Sequence, residues 1–347
     1  VSRHLGLTQR MLATQETGTG AMGQISTLLK AVIATSLSMQ ALLAIMFVPR
    51  FLTMGINPAR AIWDAVFMAI SVFNNAGFVI LPEGLTPHVT DWWMLIPIIL
   101  GTTVGAIGFP VIMDVSKNLR SPRRWRLHTK LTLSTYLILA FIGALTLALT
   151  EWHNPATLGA IDTPSKILNA MLAGVNSRSS GLSALDVGAM HSQTHFIQDI
   201  LMMIGGGSAS TAGGVKVTTF AVLVLAVIAE ARGDRDIETF GRRIPTSTVR
   251  LAVAVSLLGL AMVAMSVVLL MSMTDHSLDI ILFETVSAFA TVGLSTGITP
   301  NLPVAAKYVL IALMFAGRTG SMTVAAALAL RERSRVIRMP EEQPIIG

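Results

Sequence analysis

FETVSAFATVGLSTG, residues 283–297, places a glycine a few residues after a short apolar segment. Two other stretches align with it without gaps, AIWDAVFMAISVFNNAGF at 61–78 and SKILNAMLAGVNSRSSGL at 165–182. The alignment superposes Gly77, Gly181 and Gly293. Each of these glycines follows an apolar stretch of roughly 12 residues, which is too short to cross a bilayer as a helix. The chain therefore contains three copies of one short-helix-and-glycine unit.

The composition indicates a polytopic membrane protein. Of the 347 residues, 52% are hydrophobic and 13% are charged, and the mean hydropathy is +0.67. Soluble domains carry about 25% charged residues. Apolar runs of about 20 residues, the length that crosses a bilayer as a helix, cover 28–48, 92–113, 131–149, 251–271 and, with few polar breaks, 304–330. The chain has no cysteine, which excludes disulfides and thiolate metal sites.

Basic residues are concentrated in alternate connecting segments. Most of the 25 lysines and arginines lie in the N-terminal segment, at 117–130, at 232–250 and at 331–338. Cytoplasmic loops of membrane proteins carry this excess, so we expect these segments and both chain ends to be cytoplasmic. The same distribution accounts for the net charge of +6 without nucleic-acid binding. No signal-peptide pattern precedes the first apolar run, and the first residue, Val1, suggests a fragment or a processed chain.

Each glycine segment lies between two long apolar runs, which gives a unit of helix, short re-entrant helix, extended strand and helix. Non-helical backbone at membrane depth is tolerated where it lines a water-filled cavity or is buried in protein. Three aligned breaks therefore predict a shared pore, and the predicted fold is an all-α polytopic membrane protein with six full spans and three re-entrant half-helices. Ordinary helix-packing or turn glycines are the alternative.

The strands around the glycines are the predicted selectivity filter. Backbone carbonyls of such strands replace the hydration shell of a cation, and Thr291-Val292-Gly293 is closest to the TVGYG strand of potassium channels. The Asn75 side chain could bind an ion, but hydrogen bonding behind the strand is favoured. The predicted filter residues are Asn75, Ala76 and Gly77, then Ser179, Ser180 and Gly181, then Thr291, Val292 and Gly293.

A glycine-rich stretch, GGGSASTAGG at 205–214, interrupts the apolar run 196–228. Five glycines at up to about 1 kcal/mol each make a continuous helix unfavourable. No GK[ST] follows and no strand precedes, which argues against a phosphate-binding loop. The residues of this stretch form either a mobile element or a fixed kink; they are Gly205, Gly206, Gly207, Ser208, Ala209, Ser210, Thr211, Ala212, Gly213 and Gly214.

Two arginines lie within apolar segments. Arg178 is inside the second filter segment, so its side chain should point away from the ions toward a buried acid. Glu284 is the predicted partner in an ion pair, with Asp64 or Asp186 as alternatives. Arg318 lies in the last apolar run, where an ionisable residue indicates function, although snorkelling to the cytoplasmic edge is the alternative.

These motifs together resemble the Trk/Ktr/HKT superfamily of potassium transporters, and most closely its bacterial KtrB-type membrane subunits. The matching segments are SVFNNAGF at 71–78, NSRSSGL at 176–182, GGGSASTAGGVKVTT at 205–219, FETVSAFATVGLSTG at 283–297, GRTGSMT at 317–323 and RMPEEQPIIG at 338–347. The superfamily has four repeats around one pore, so the resemblance implies that the first repeat lies upstream of Val1. Three quarters of a filter ring is not expected to conduct selectively.

The resemblance also implies a division of the chain. Residues 1–28 would be a cytoplasmic linker and 331–347 a cytoplasmic tail, while 29–116, 117–230 and 231–330 would be repeats two, three and four. The loop 205–214 would be an intramembrane gate. Arg318 would project into the pore below the filter and control conduction together with that loop.

The function implied by the resemblance is gated potassium uptake across the cell membrane. The ion would be K+, with Na+ as the alternative because the filter position that goes with sodium preference is not visible, and no covalently bound cofactor is expected. Symport and channel transport stay open.

The expected partners are a second copy of the chain, each with its own pore, and a cytoplasmic nucleotide-binding regulatory ring of the RCK type. The basic loops suit either that ring or anionic membrane lipid. A sodium-preferring transporter and a non-conducting assembly subunit are the competing interpretations. An intramembrane enzyme is disfavoured, because the histidines fall in predicted loops and no catalytic constellation is evident.

Overall fold

The computed structural model describes residues 25–320, and most of them are helical. The elements in chain order are α1 (Ile25–Thr53), α2 (Pro58–Phe73), α3 (Trp92–Ile107), α4 (Phe109–Lys117), α5 (Leu127–Glu151), α6 (Thr163–Asn176), α7 (Ser192–Met203), α8 (Val217–Arg232), β1 (Ile237–Thr239), β2 (Arg242–Ile244), α9 (Thr246–Met273), α10 (Leu278–Phe289), α11 (Val304–Phe315) and a π-helical turn (Ala316–Gly320). The predicted linker up to residue 24, the tail and the end of the GRTGSMT motif lie outside the described residues.

Three of the described helices are long and apolar enough to cross a membrane, over Val32–Thr53, Leu127–Glu151 and Thr246–Met273. The run 92–113 was expected to cross the membrane as one continuous helix, but the structure breaks it into two helices. Helices α3 and α4 meet at an angle of 94°, because Gly108 between them adopts φ 99° and ψ 146°, a conformation that residues with a Cβ avoid. Counting this bent pair as one span gives four candidate spans.

The three short helices α2, α6 and α10 each precede one of the aligned glycines. Asn57 accepts a hydrogen bond from the Ala59 N–H at the start of α2, and Asp162 accepts one from the Ser165 N–H at the start of α6. Side-chain acceptors of this kind satisfy the free N–H groups of a helix N-terminus. Helices α2 and α6 are therefore each defined at the start by a local sequence signal, whereas the start of α10 has no side-chain cap of this kind.

The buried apolar residues form two main clusters, and α6 contributes to both. Leu168 belongs to the cluster around Phe47 and Phe73, whereas Ala170 belongs to the cluster around Phe283. Many large apolar side chains on the long helices are instead exposed, for example Leu37, Ile45, Phe141, Leu149 and Val268. Apolar faces of this extent suit contact with lipid.

A small antiparallel hairpin, β1 with β2, departs from the predicted all-α fold. Ile237 pairs with Ile244, and Ile244 packs with Val222 of α8 and Ala252 of α9. The turn residues Phe240 and Gly241 both have positive φ, as a two-residue hairpin turn requires. The hairpin lies within the basic segment 232–250, which was expected to be an irregular cytoplasmic loop.

Candidate functional site

The three aligned glycines share one backbone conformation. Gly77, Gly181 and Gly293 have φ of +75°, +64° and +98°, respectively. L-residues with a Cβ rarely adopt such angles. The positive φ therefore explains why glycine occupies this position in all three segments.

The backbone after each of these glycines is attached to the preceding short helix in the same way. A side chain from the end of the helix donates a hydrogen bond to the carbonyl oxygen of the residue that follows the glycine. The three bonds are Ser71 Oγ to Phe78 O at 2.7 Å, Asn176 Nδ2 to Leu182 O at 2.7 Å and Ser287 Oγ to Leu294 O at 2.6 Å. Helix and strand therefore form one connected unit in each segment.

The strands lie side by side in chain order. A Cβ at Gly77 would lie 2.3 Å from the carbonyl oxygen of Ser180, and a Cβ at Gly181 would lie 2.3 Å from that of Val292. A Cβ at Gly293 would meet nothing within 4 Å. Residues 25–320 contain no group of three acidic or histidine side chains suited to a metal ion.

The Asn75 side chain connects two filter strands and the glycine-rich loop. Its Nδ2 donates to Thr211 Oγ1 at 2.6 Å, and its Oδ1 accepts from Ser179 Oγ at 2.9 Å. The residue is buried. As favoured from the sequence, the amide is engaged in hydrogen bonding within the protein.

The glycine-rich loop lies between the end of α3 and the strand at 291–293. The Gly207 N–H donates to the carbonyl oxygen of Ala106 at 2.8 Å. A Cβ at Gly207 would lie 2.1 Å from the carbonyl oxygen of Ile107, and a Cβ at Gly213 would lie 2.1 Å from Thr291 Oγ1. Small residues in this loop are therefore required by packing.

Arg318, in the π-helical turn, contacts the same loop. Its Nη1 donates a hydrogen bond to the carbonyl oxygen of Thr211. The backbone beside it is tightly packed, because a Cβ at Gly317 would lie 1.7 Å from the carbonyl oxygen of Phe289. The structure thus brings together the predicted gate arginine, the loop and, through Thr211, Asn75.

The predicted ion pair between Arg178 and Glu284 is wrong. The Arg178 side chain is fully buried, with its guanidinium carbon 3.6 Å from the centre of the Tyr136 ring. None of its three nitrogens has a hydrogen-bond partner among residues 25–320. The alternatives also fail, since Asp64 pairs with Arg60 and Asp186 accepts from the Gly188 N–H.

Glu284 instead accepts hydrogen bonds from residues 295–299, which follow the strand at 291–293. Its carboxylate oxygens accept hydrogen bonds from Ser295 Oγ at 2.8 Å, Thr296 N at 2.8 Å, Thr296 Oγ1 at 2.9 Å and Thr299 Oγ1 at 2.7 Å. These four donors occupy the carboxylate and leave it unavailable to Arg178. The signal in the sequence was the three hydroxyl residues within 295–299.

Two further buried polar groups, Glu151 and His195, were not identified from the sequence. Glu151, at the end of α5, is fully buried and accepts from Thr157 Oγ1 at 2.7 Å and from the His191 N–H at 2.9 Å. His195 lies in α7 and is buried, with Nε2 2.7 Å from the carbonyl oxygen of Val187. The histidines were expected in loops or near the ends of spans, and His195 lies in the first turn of α7, which begins at Ser192.

Comparison with known proteins gives consistent matches. The family model TrkH, described as a cation transport protein, matches residues 4–337. Ktr system potassium uptake protein B of Bacillus subtilis is 36% identical over 351 residues, covering 100% of this chain and 77% of that protein. Potassium/sodium uptake protein NtpJ of Enterococcus hirae is 32% identical over 312 residues, covering 88% and 67%.

A solved structure shares the fold. The crystal structure of the potassium transporter TrkH from Vibrio parahaemolyticus matches with a TM-score of 0.71 and 17% identity, covering 93% of this chain and 69% of that chain.

Proposed function

Because the chain belongs to the TrkH family of cation transport proteins, we propose that it takes up potassium ions across the cell membrane through a gated filter pore. The family resemblance expected from the motifs is confirmed, and the family is one of transporters and not of enzymes. Potassium is proposed as the ion because a relative with 36% identity is named a potassium uptake protein.

The observation that carries this proposal is the arrangement of the three glycine strands. Three glycines with positive φ follow three short helices, and backbone oxygens of Ser180 and Val292 lie against the glycine of the neighbouring strand. Rings of backbone carbonyls are the established means of replacing the hydration shell of a potassium ion. We assign the ion ligands to the backbone at 75–77, 179–181 and 291–293.

We assign control of the flow to the loop 205–214 and Arg318. The loop packs against the fourth filter strand at Thr291, and Arg318 bonds to the loop at Thr211. A fixed positive charge beside a cation path raises the barrier to passage, as it does in other selective pores. Movement of the loop together with Arg318 would lower that barrier.

The remaining parts of the proposal follow the family resemblance. Repeats two to four would span 29–116, 117–230 and 231–330, and a further unit of the same kind would fill the open side at Gly293, where a Cβ meets no other atom. The working assembly would be a homodimer bound to a cytoplasmic nucleotide-binding ring, with the C-terminal tail in the cytoplasm. The basic segments 117–130 and 232–250 would face that ring or anionic lipid.

Sodium uptake is the second candidate, because one relative is named a potassium/sodium uptake protein. The two candidates differ in the cation, K+ or Na+, whose uptake increases when the protein is expressed. Both need the same filter strands, so one set of variants tests them together.

The experiment is growth of a potassium-uptake-deficient host that expresses the complete transport subunit. We expect rescue at low potassium and at least a tenfold loss of potassium uptake in Gly293→Ser, because a Cβ at φ +98° disturbs the strand. The matched control is Gly233→Ser, which introduces a Cβ at φ +73° at the end of α8, where nothing lies within 4 Å. Failure to rescue growth, with the protein present in the membrane, would contradict potassium uptake. Failure of rescue together with an increased uptake of Na+ would favour the second candidate.

A further inference from the structure

Thr211 is the point at which three parts of the proposed pore meet. Its hydroxyl accepts from Asn75 Nδ2 at 2.6 Å and lies 3.0 Å from the carbonyl oxygen of Gly105, to which it donates. Its own carbonyl oxygen accepts from Arg318 Nη1. One loop residue therefore contacts the strand at 75–77, the end of α3 and Arg318.

Asn75 extends this connection to a second strand. Its side-chain oxygen accepts from Ser179 Oγ at 2.9 Å. The amide therefore joins the strands at 75–77 and 179–181 and also binds the loop. Its φ of +52° is one that Asn tolerates better than most residues. The side chain is buried and bonded at both ends, so displacement of Thr211 acts directly on both strands.

Thr291, the residue equivalent to Asn75 in the strand at 291–293, makes no such connection. Thr291 also has φ of +52°, but its Oγ1 has no hydrogen-bond partner among residues 25–320. The loop faces it with Gly213, which has no side chain. The side-chain hydrogen bond between loop and filter is therefore specific to Asn75.

From this asymmetry we propose that Thr211 and Asn75 couple the position of the loop to the ion preference of the filter. When Arg318 releases the Thr211 carbonyl and the loop moves, the Asn75–Thr211 hydrogen bond breaks. The strands at 75–77 and 179–181, which the Asn75 amide joins, then lose their attachment to the loop. Thr211 acts as a positioning residue, through Asn75, and not as an ion ligand. The inference rests on the proposed function and adds to it that the gate and the filter are not independent.

The test is a double-mutant cycle in the complete transport subunit reconstituted into liposomes, with K+ and Na+ influx measured separately. Thr211→Val removes the acceptor but keeps the backbone carbonyl for Arg318. Asn75→Gly removes the amide and fits the positive φ. Thr146→Val is the matched control, since Thr146 Oγ1 bonds only to carbonyls of its own helix.

We expect the K+/Na+ influx ratio to fall by at least about fivefold in Thr211→Val, because the hydroxyl that bonds to Asn75 and to the Gly105 carbonyl is lost. The ratio should stay unchanged in Thr146→Val. Asn75→Gly should give a fall at least as large, because it also removes the bond to Ser179. The double variant should fall no further than Asn75→Gly, because the Asn75–Thr211 bond is already lost in either single variant. Equal changes in K+ and Na+ influx, with a constant ratio, would overturn the coupling, and so would effects that multiply in the double variant.

A second measurement separates this inference from the proposed function. K+-dependent thermal stabilisation of the detergent-solubilised protein reports ion binding without transport. If the unsubstituted protein transports no K+, the proposed function fails, and the coupling is judged on binding alone. A K+ concentration for half-maximal stabilisation that rises in Thr211→Val and not in Thr146→Val supports the coupling, and an unchanged value in both rejects it.

Discussion

Arg178 shows how a buried charge is accommodated beside the strand at 179–181. Its guanidinium stacks on the Tyr136 ring, and both side chains are fully buried. An arginine over an aromatic face gains about 2 kcal/mol when water is excluded. The aromatic ring is therefore the main compensation for this charge among the described residues, and it fixes Arg178 behind the strand at 179–181.

This contact predicts different outcomes for two substitutions of Tyr136. Tyr136→Leu removes the ring and should lower the free energy of unfolding by about 2 kcal/mol, whereas Tyr136→Phe keeps the ring and should cost much less. Thermal unfolding in detergent measures the difference. Equal losses in the two variants would show that the ring face does not stabilise Arg178.

At this scale the sequence predicted residues better than their partners. Asn75 was expected to form hydrogen bonds behind the strand, and its amide is bonded to Thr211 and Ser179. Arg318 was expected from the family resemblance to act with the loop; it contacts the loop at Thr211, and its control of conduction stays a prediction. The partner of Arg178 was wrong, because charge alone favoured Glu284. The preference of a carboxylate for four nearby hydroxyl and N–H donors follows from the fold of the strand and not from composition.

Among the elements, the bend between α3 and α4 has the closest connection to the proposed gate. A Cβ at Gly108 would lie 2.6 Å from the carbonyl oxygen of Ser208 in the loop. The bend and the loop conformation are therefore packed against each other.

Gly108→Ala should lower the free energy of unfolding by about 1–3 kcal/mol, because the residue adopts φ +99°, and should change the potassium uptake rate because the new methyl group displaces the loop. Gly55→Ala is the control: Gly55 has φ +77° with nothing within 4 Å, so only the strain applies. Thermal unfolding and uptake are measured on both variants. An uptake rate that changes equally in the two would contradict a specific contact with the loop.

The loop was predictable and the bend was not, for one physical reason. Five glycines within 205–214 interrupt an apolar helix visibly, because each lowers helix propensity. The bend occurs at a single glycine between two apolar segments, so the hydropathy of 92–113 is continuous across it. Pro110, in the first turn of α4, was the local signal, since proline favours a helix start and disrupts a helix interior.

For the whole molecule, the distribution of basic residues predicts the orientation in the membrane. Because the chain has no cysteine, single cysteines can be introduced without a background of native thiols. Ser116→Cys and Glu238→Cys should react with an impermeant thiol reagent only after the cells are opened, and His153→Cys should react in intact cells, since all three side chains are exposed. The reverse pattern of labelling would contradict the predicted orientation.

The near-right angle between α3 and α4 makes α4 a lever arm that extends from Gly108. Helix α4 has nine residues and is about 13 Å long at 1.5 Å per residue. At its near end the Phe109 N–H donates to the carbonyl oxygen of Ala209 at 3.3 Å, and the Phe109 ring lies 6.4 Å from that of Phe73 at the end of α2. A sideways force applied at Lys117 therefore becomes a torque about Gly108, delivered simultaneously to the loop and to the short helix that supports the second strand.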